Sequence, residues 1–245
     1  MTRCFTMEYA IWFRVLLFGV RRLGIPLPLG GTSVFFHTHV LKEIGAWDAH
    51  NVTEDADLGM RLARLGYRCD LVRSVTFEEA NPQLGNWLRQ RSRWLKGYAV
   101  TWVNHMRTPL RLWRDLGTGP FLGFQLLLLG SVTAYLAMPL FWVLLFAEVT
   151  GIKPQWLGAV DRTVWSLFFI SLPLGNLTMI CAAILALYRR RLLGLLPWAF
   201  TLPAYWSLGS IASYRAIFEL FTMPFHWQKT QHGLARKSVS RTETD

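Results

Sequence analysis

Two short stretches carry the side chains best suited to chemistry. Asn51-Val52-Thr53-Glu54-Asp55-Ala56-Asp57 gathers three acids within four positions, and Gln90-Arg91-Ser92-Arg93-Trp94 follows about 35 residues later. A carboxylate held at a fixed place can take the proton from a hydroxyl. A guanidinium fork suits phosphate oxygens better than an ammonium group does. On a helix Gln90 and Trp94 lie one turn apart, so an amide and an indole can share one face. Each stretch also has a plainer reading. Acids after Asn51 or Thr53 suit a helix cap and the positive end of the helix dipole. Arg89, Arg93 and Lys96 at helical spacing suit lipid headgroups, with Trp94 in an interfacial belt.

Other polar residues offer less. His37 and His39 would face the same side of a strand with no third ligand near, so solvated histidines are the expectation and no metal site is assigned. Glu78 and Glu79 are adjacent acids in a loop, which usually face water. Gly30-Gly31-Thr32 is too short to cradle a phosphate and reads as a turn. Cys4, Cys69 and Cys181 are isolated, with neither a CxxC pair nor metal-ligand spacing.

The elements that must position these groups can be read from periodicity. Residues 4–23 mix apolar positions with Glu8, Arg14, Arg21 and Arg22, predicting a helix laid on a membrane surface or in a protein groove. Pro26 and Pro28 stop it. Residues 34–36 predict a short buried strand and residues 40–44 a short helix ended by Gly45. A helix starts at the 51–57 acids, keeps Leu58, Leu62 and Leu65 in register and closes at Gly66. Residues 67–77 predict a second strand, residues 86–105 a long basic amphipathic helix ended by Pro109, and the tail after Lys237 disorder.

Hydropathy then points to a membrane. The 245 residues are 52% hydrophobic and 17% charged, with mean hydropathy +0.26. Residues 121–147, 164–188 and 192–214 contain no Asp, Glu, Lys or Arg, and each is long enough for the roughly 20 residues a helical crossing needs. Pro197 and Pro203 can break the last run, so the number of crossings stays open. The net charge is +11, and its bases flank these runs, which favours anionic lipid over nucleic acid as partner. Positive residues are retained on the cytoplasmic side. That rule puts the first 120 residues and Arg189-Arg190-Arg191 inside and the 148–163 loop outside.

The acid stretch and the Gln-Arg-Ser-Arg-Trp stretch together, in this order and ahead of membrane helices, resemble the TED and QxxRW motifs of processive family 2 glycosyltransferases. Cellulose, hyaluronan and chitin synthases are members of that family. Pro28-Leu29-Gly30-Gly31-Thr32-Ser33, Gly45-Ala46-Trp47-Asp48 and Trp94-Leu95-Lys96-Gly97-Tyr98 are similar to bacterial members. The resemblance covers residues 5–107 and, more loosely, the spans as far as Gly233. It implies inverting transfer of a sugar from a nucleotide-diphosphate donor, such as a UDP-sugar, to a growing glycan. It makes Asp55 the base, with Glu54 and Thr53 orienting it. Arg93, with Gln90 and Arg91, would hold the pyrophosphate, and Trp94 would stack the acceptor sugar. Gly30, Gly31 and Thr32 would lie beside the acceptor pocket. Trp227, Lys229 and Thr230 loosely match a gating segment, a juxtamembrane anchor being the alternative.

The resemblance further implies an α/β partial GT-A domain followed by an α-helical transmembrane bundle in a bacterial inner membrane, with the catalytic part cytosolic. Four parts are expected: 1–84 as the acceptor side of that domain, 85–120 as the basic interface helix and linker, 121–222 as spans, and 223–245 as a juxtamembrane segment and polar tail. The complete enzyme would need a divalent metal, Mg or Mn, on a DxD motif. Asp55-Ala56-Asp57 has that spelling but sits where TED belongs, so the metal site and the nucleotide-binding half are expected to be absent from this chain, on a missing N-terminal half. The alternative is a non-enzymatic membrane remnant or accessory subunit that binds glycan or lipid.

Overall fold

The computed structural model describes residues 1–152, 162–224 and 226. Residues 2–22 form one helical rod. Helix α1 (Thr2–Ile11) runs through a π turn (Trp12–Leu16) into α2 (Leu17–Arg22). Cys4, Phe5, Met7, Ala10 and Ile11 make its buried stripe, and that stripe packs on Ala183, Ala186, Leu187, Ala199, Leu202 and Tyr205. The amphipathic pattern is therefore spent on a protein groove. Gly24 ends the rod with φ 68°, its N–H bonded to the Arg21 carbonyl at 3.0 Å.

A loop leads through short α3 (Thr38–Glu43) to α4 (Glu54–Arg64) and then to α5 (Leu84–His105), the 22-residue helix at the centre of the molecule. Pro109 stands at the first turn of a further helix, α6 (Pro109–Leu116), where its missing N–H costs nothing. It opens that helix where a linker was expected. Gly117, at φ 79°, separates α6 from α7 (Thr118–Phe124). A second π turn (Gln125–Leu129) joins α7 to α8 (Gly130–Thr150). Helix α9 (Arg162–Arg190) follows. The last apolar run is divided into a 3₁₀ segment (Leu193–Thr201) and α10 (Leu202–Thr222), with Pro197 inside the first and Pro203 in the first turn of the second.

The expected α/β architecture is overturned. Among the described residues no strand forms. Residues 34–36 and 67–77 have β-favouring composition, but Phe35 is 90% exposed, Phe77 87% and Val72 74%. The two stretches approach each other through Ser33 Oγ and Thr76 Oγ1, 2.8 Å apart, with no backbone ladder between them. Side chains take up polar groups that a neighbouring strand would otherwise engage. Arg14 donates to the carbonyls of Arg73 and Ser74 at 3.3 and 3.2 Å, and Arg21 grips Asp70 at 2.5 Å. The partial GT-A domain thus gives way to helices joined by long loops.

Among the described residues two helices are long and apolar enough to cross a membrane, Thr118–Thr150 with 33 residues and Trp165–Arg190 with 26. Only 11% and 6% of their apolar windows are buried against the protein, whereas a core helix of a soluble fold would be mostly covered. Leu126, Phe146, Leu167, Ile170 and Leu174 all face outward. Helix α10 instead lies along α5, with Leu95, Val132, Ala212 and Ala216 in one core.

Candidate active site

The start of α4 is fixed from three directions. Beneath it, Gly59 sits on the Leu27 carbonyl, so close that a β-carbon there would lie 2.0 Å from the oxygen. Beside it, Thr53 packs on Gly97 of α5, and Asn51 Nδ2 donates to Thr101 Oγ1 at 2.9 Å. No side chain caps the helix at Thr53; Asn51 Oδ1 instead accepts from the Thr53 N–H at 3.0 Å. On the third side Asp57, buried, meets Arg61 Nε at 2.9 Å and His105 Nε2 at 3.1 Å. Burial opposes its charge, but His105 and Arg61 outweigh that and hold the Asp57 carboxyl below the usual range. Arg64 continues the chain of contacts to His105 and to Asp115 on α6.

Asp57 thus binds α4 to the interior, and Asp55, two positions earlier, looks the other way. Its carboxylate is half-buried, accepts the Ala56 N–H at 2.8 Å and is bonded by the Gly31 N–H. Burial pushes the Asp55 carboxyl above the usual carboxylate range; those backbone N–H groups pull it down, and the Glu54 charge adds to the rise. A cavity of about 360 Å³ opens beside it, lined by Gly31, Thr32, Phe36, Trp47 and Asp55 among others. Asp55 therefore has what a general base needs: a fixed position, partial desolvation and open space before it.

The Gln90–Trp94 turn is split in its loyalties. Arg93 faces the acid stretch, reaching the Val52 carbonyl at 3.5 Å. Burial lowers its pKa from the usual arginine value, and the charges of Glu54 and Asp55 act to raise it. Gln90 Oε1 is buried with no hydrogen-bond partner among the described residues. Arg91 turns away. It pairs with Glu8 of α1 and lies over the rings of Trp87 and Trp94 at 5.1 and 4.8 Å. Trp94 packs against Tyr9, ring centres 6.1 Å apart, and is not in the cavity lining. Gly31 and Thr32 line the cavity, while Gly30 faces the Phe13 ring. So the structure puts Gly31, Thr32 and Asp55 in one cavity lining, turns Arg93 toward the acid stretch, uses Thr53 and Arg91 as internal contacts, and keeps Trp94 on the α1 side.

Several residues that matter here have partners the sequence reading did not give them. Asp57, Arg61 and His105 form one network, and Glu8 with Tyr205 (2.8 Å) completes the partners of Arg91; Asp57 and Arg61 stand at helical i,i+4 spacing, a local signal that could have been read, whereas the separations of 48, 83 and 197 for the other pairs leave none. Lys96, 1% exposed, donates to the carbonyls of Met223 and His226 at 3.1 and 2.9 Å. It thereby ties α5 to the segment entering the C-terminal tail. Trp227, Lys229 and Thr230 lie outside the described residues.

The chemistry of the acids does not fit a divalent cation here. Asp55 and Asp57 point apart on α4, and Asp57 is taken up by Arg61 and His105. Among the described residues no three His, Cys, Asp or Glu side chains are grouped to hold a metal.

The chain matches the model of the glycosyl transferase family group 2 over residues 1–228. It is also 31% identical over 68 residues to "Probable glycosyltransferase YdaM" of Bacillus subtilis (strain 168), a stretch that covers 27% of this chain and 16% of that protein. No solved structure matches it. With the family model matched over residues 1–228 of its 245, the chain belongs to the glycosyl transferase family group 2.

Proposed function

We propose that this chain supplies the acceptor-activating side of an inverting sugar transfer at a membrane, from a nucleoside-diphosphate sugar to a glycan. Asp55 carries the proposal: it is the carboxylate that faces the cavity while its neighbour Asp57 is locked into the fold. In the reaction an acceptor hydroxyl attacks the anomeric carbon and its proton passes to Asp55. The glycosidic C–O bond forms as the bond to the diphosphate breaks, and the nucleoside diphosphate leaves with the bonding electrons. This reading gives that departing charge to Arg93, a guanidinium on which the charges of Glu54 and Asp55 act. Gln90 Oε1, buried and unpartnered, is a second polar contact for the donor. Arg91, bound to Glu8, holds α1 to α5.

The donor's nucleotide and the Mg or Mn ion expected of the complete enzyme are assigned to residues outside those described, since Asp57 is consumed by His105 and Arg61. A UDP-sugar is the donor this reading favours. The outward apolar faces of α8 and α9 support a place in a membrane; the reading takes it as a multi-pass protein of a bacterial inner membrane, with α4 and α5 on the cytosolic side. Labelled nucleotide sugars, UDP-glucose and UDP-N-acetylglucosamine first, are to be incubated with membranes of the source cell before and after deletion of this chain. Label entering glycan in a chain-dependent way supports the reading. Unchanged incorporation of every sugar favours an accessory subunit that binds glycan or lipid.

A further inference from the structure

We propose that Trp47 is the platform on which the acceptor sugar ring rests while its hydroxyl faces Asp55; the assignment rests on the transferase reading above. A pyranose has an apolar C–H face and a rim of hydroxyls. Its site therefore needs a flat apolar surface on one side and polar groups around the edge. The cavity beside Asp55 has both. Trp47 lines it with 47% of its surface exposed, and Phe36 braces the indole edge-on, ring centres 5.7 Å apart at 89°. Thr32 and Asp55 supply polar atoms in the same lining. The volume, about 360 Å³, falls in the range of small-ligand pockets.

The backbone shows that Trp47 is held in place. Gly45 and Ala46, just before it, both have positive φ, 75° and 56°. Ala46 adopts this unfavourable conformation because Arg61 clamps the turn, donating to the carbonyls of Ile44 and Ala46 at 2.8 and 2.5 Å. Arg61 belongs to α4 and is tied to Asp57. One helix therefore presents Asp55 and also anchors the turn that presents Trp47, which fixes the spacing between base and platform. Trp94, the indole expected to stack the acceptor, lies against Tyr9 and Arg91 instead. A lipid contact for Trp47 fits poorly, because acyl chains in the cavity would strip water from the Asp55 carboxylate.

The test is isothermal titration of the purified full chain in detergent with cellohexaose and with chitohexaose. Trp47→Ala should weaken binding of whichever oligosaccharide the wild type takes by about tenfold or more, the loss typical of a central tryptophan. Trp47→Phe, which keeps a flat face, should stay within about threefold, roughly half of that loss in free energy. Trp113→Ala, at an equally exposed indole on α6 (47%), should bind as the wild type does, and thermal midpoints should show all variants folded. Wild-type binding that survives Trp47→Ala overturns this inference alone. A wild type that binds neither oligosaccharide counts against the acceptor-side reading itself.

Discussion

Thr53 packs against Gly97 so closely that a β-carbon on Gly97 would lie 2.1 Å from Thr53 Oγ1 and 2.4 Å from its Cγ2. This contact docks the acid stretch on the helix of the Gln-Arg-Ser-Arg-Trp stretch. Gly97 lies one turn beyond Arg93, so the packing that seats Thr53 also sets Arg93 beside Glu54 and Asp55. The two stretches lie against each other because a glycine lets their backbones approach.

Gly97→Ala should therefore overpack the junction, at a cost of about 1–3 kcal/mol. Thr53→Ala should be milder, and the double variant should recover part of the stability lost to Gly97→Ala. Urea titration in detergent checks this as a double-mutant cycle; additive effects would mean that the two residues are not coupled.

Asp57 and Asp55 should respond to pH in opposite ways. The Asp57 carboxyl is held below its usual range by His105 and Arg61, so its contribution is present above the unfolded-state pKa and lost as pH falls through the lower folded value. Asp57→Ala leaves buried His105 and Arg61 without their acid, and should cost about 3 kcal/mol near neutral pH. Melting curves from neutral to acid pH should show this difference narrowing as the wild type loses its own Asp57 charge.

The Asp55 carboxyl is pushed up chiefly by burial. A raised folded pKa means that the native state holds the proton more tightly, so ionisation weakens the fold as pH rises from the unfolded value through the folded one. Asp55→Asn should raise the thermal midpoint at neutral pH. The same shift limits the base: transfer should fall as acidification protonates Asp55, starting at a higher pH than for an ordinary aspartate. A stability profile identical in wild type and variant would remove the basis for both expectations.

Arg91 and Arg93 are two residues apart and should fail differently. Arg91→Met strips the partner from Glu8, which also accepts from Tyr205 at 2.8 Å, and should loosen α1 from α5 with a clear drop in thermal midpoint. Arg93→Lys keeps a charge but loses the planar fork. It should lower kcat with little change in melting. Paired melting and initial-rate measurements separate the two roles.

The helices were legible where periodicity and punctuation agree. Leu58 and Leu62 mark α4, Gly66 closes it, and Pro197 and Pro203 mark the broken third apolar run. Strands at 34–36 and 67–77 were misread because β-favouring residues such as Val72 and Phe77 say nothing about a ladder partner. Here Arg14 engages backbone carbonyls of the second stretch. Of the residues named from the resemblance, Gly31, Thr32 and Asp55 line one cavity, and Arg93 faces the acid stretch from α5. Trp47, His105 and Glu8 were not singled out, because their roles come from contacts between distant elements. The resemblance singled out Asp55 and not Asp57 as the base, and the two acids do leave α4 on different sides, Asp55 to the cavity and Asp57 to His105 and Arg61.

The most direct test of the central claim is label incorporation from a UDP-sugar by membranes in which this chain carries Asp55→Asn, at wild-type abundance. The account predicts a loss of about a hundredfold or more, the scale of a missing general base, with the protein still folded and inserted. Transfer at the wild-type rate would contradict it and take the base away from Asp55.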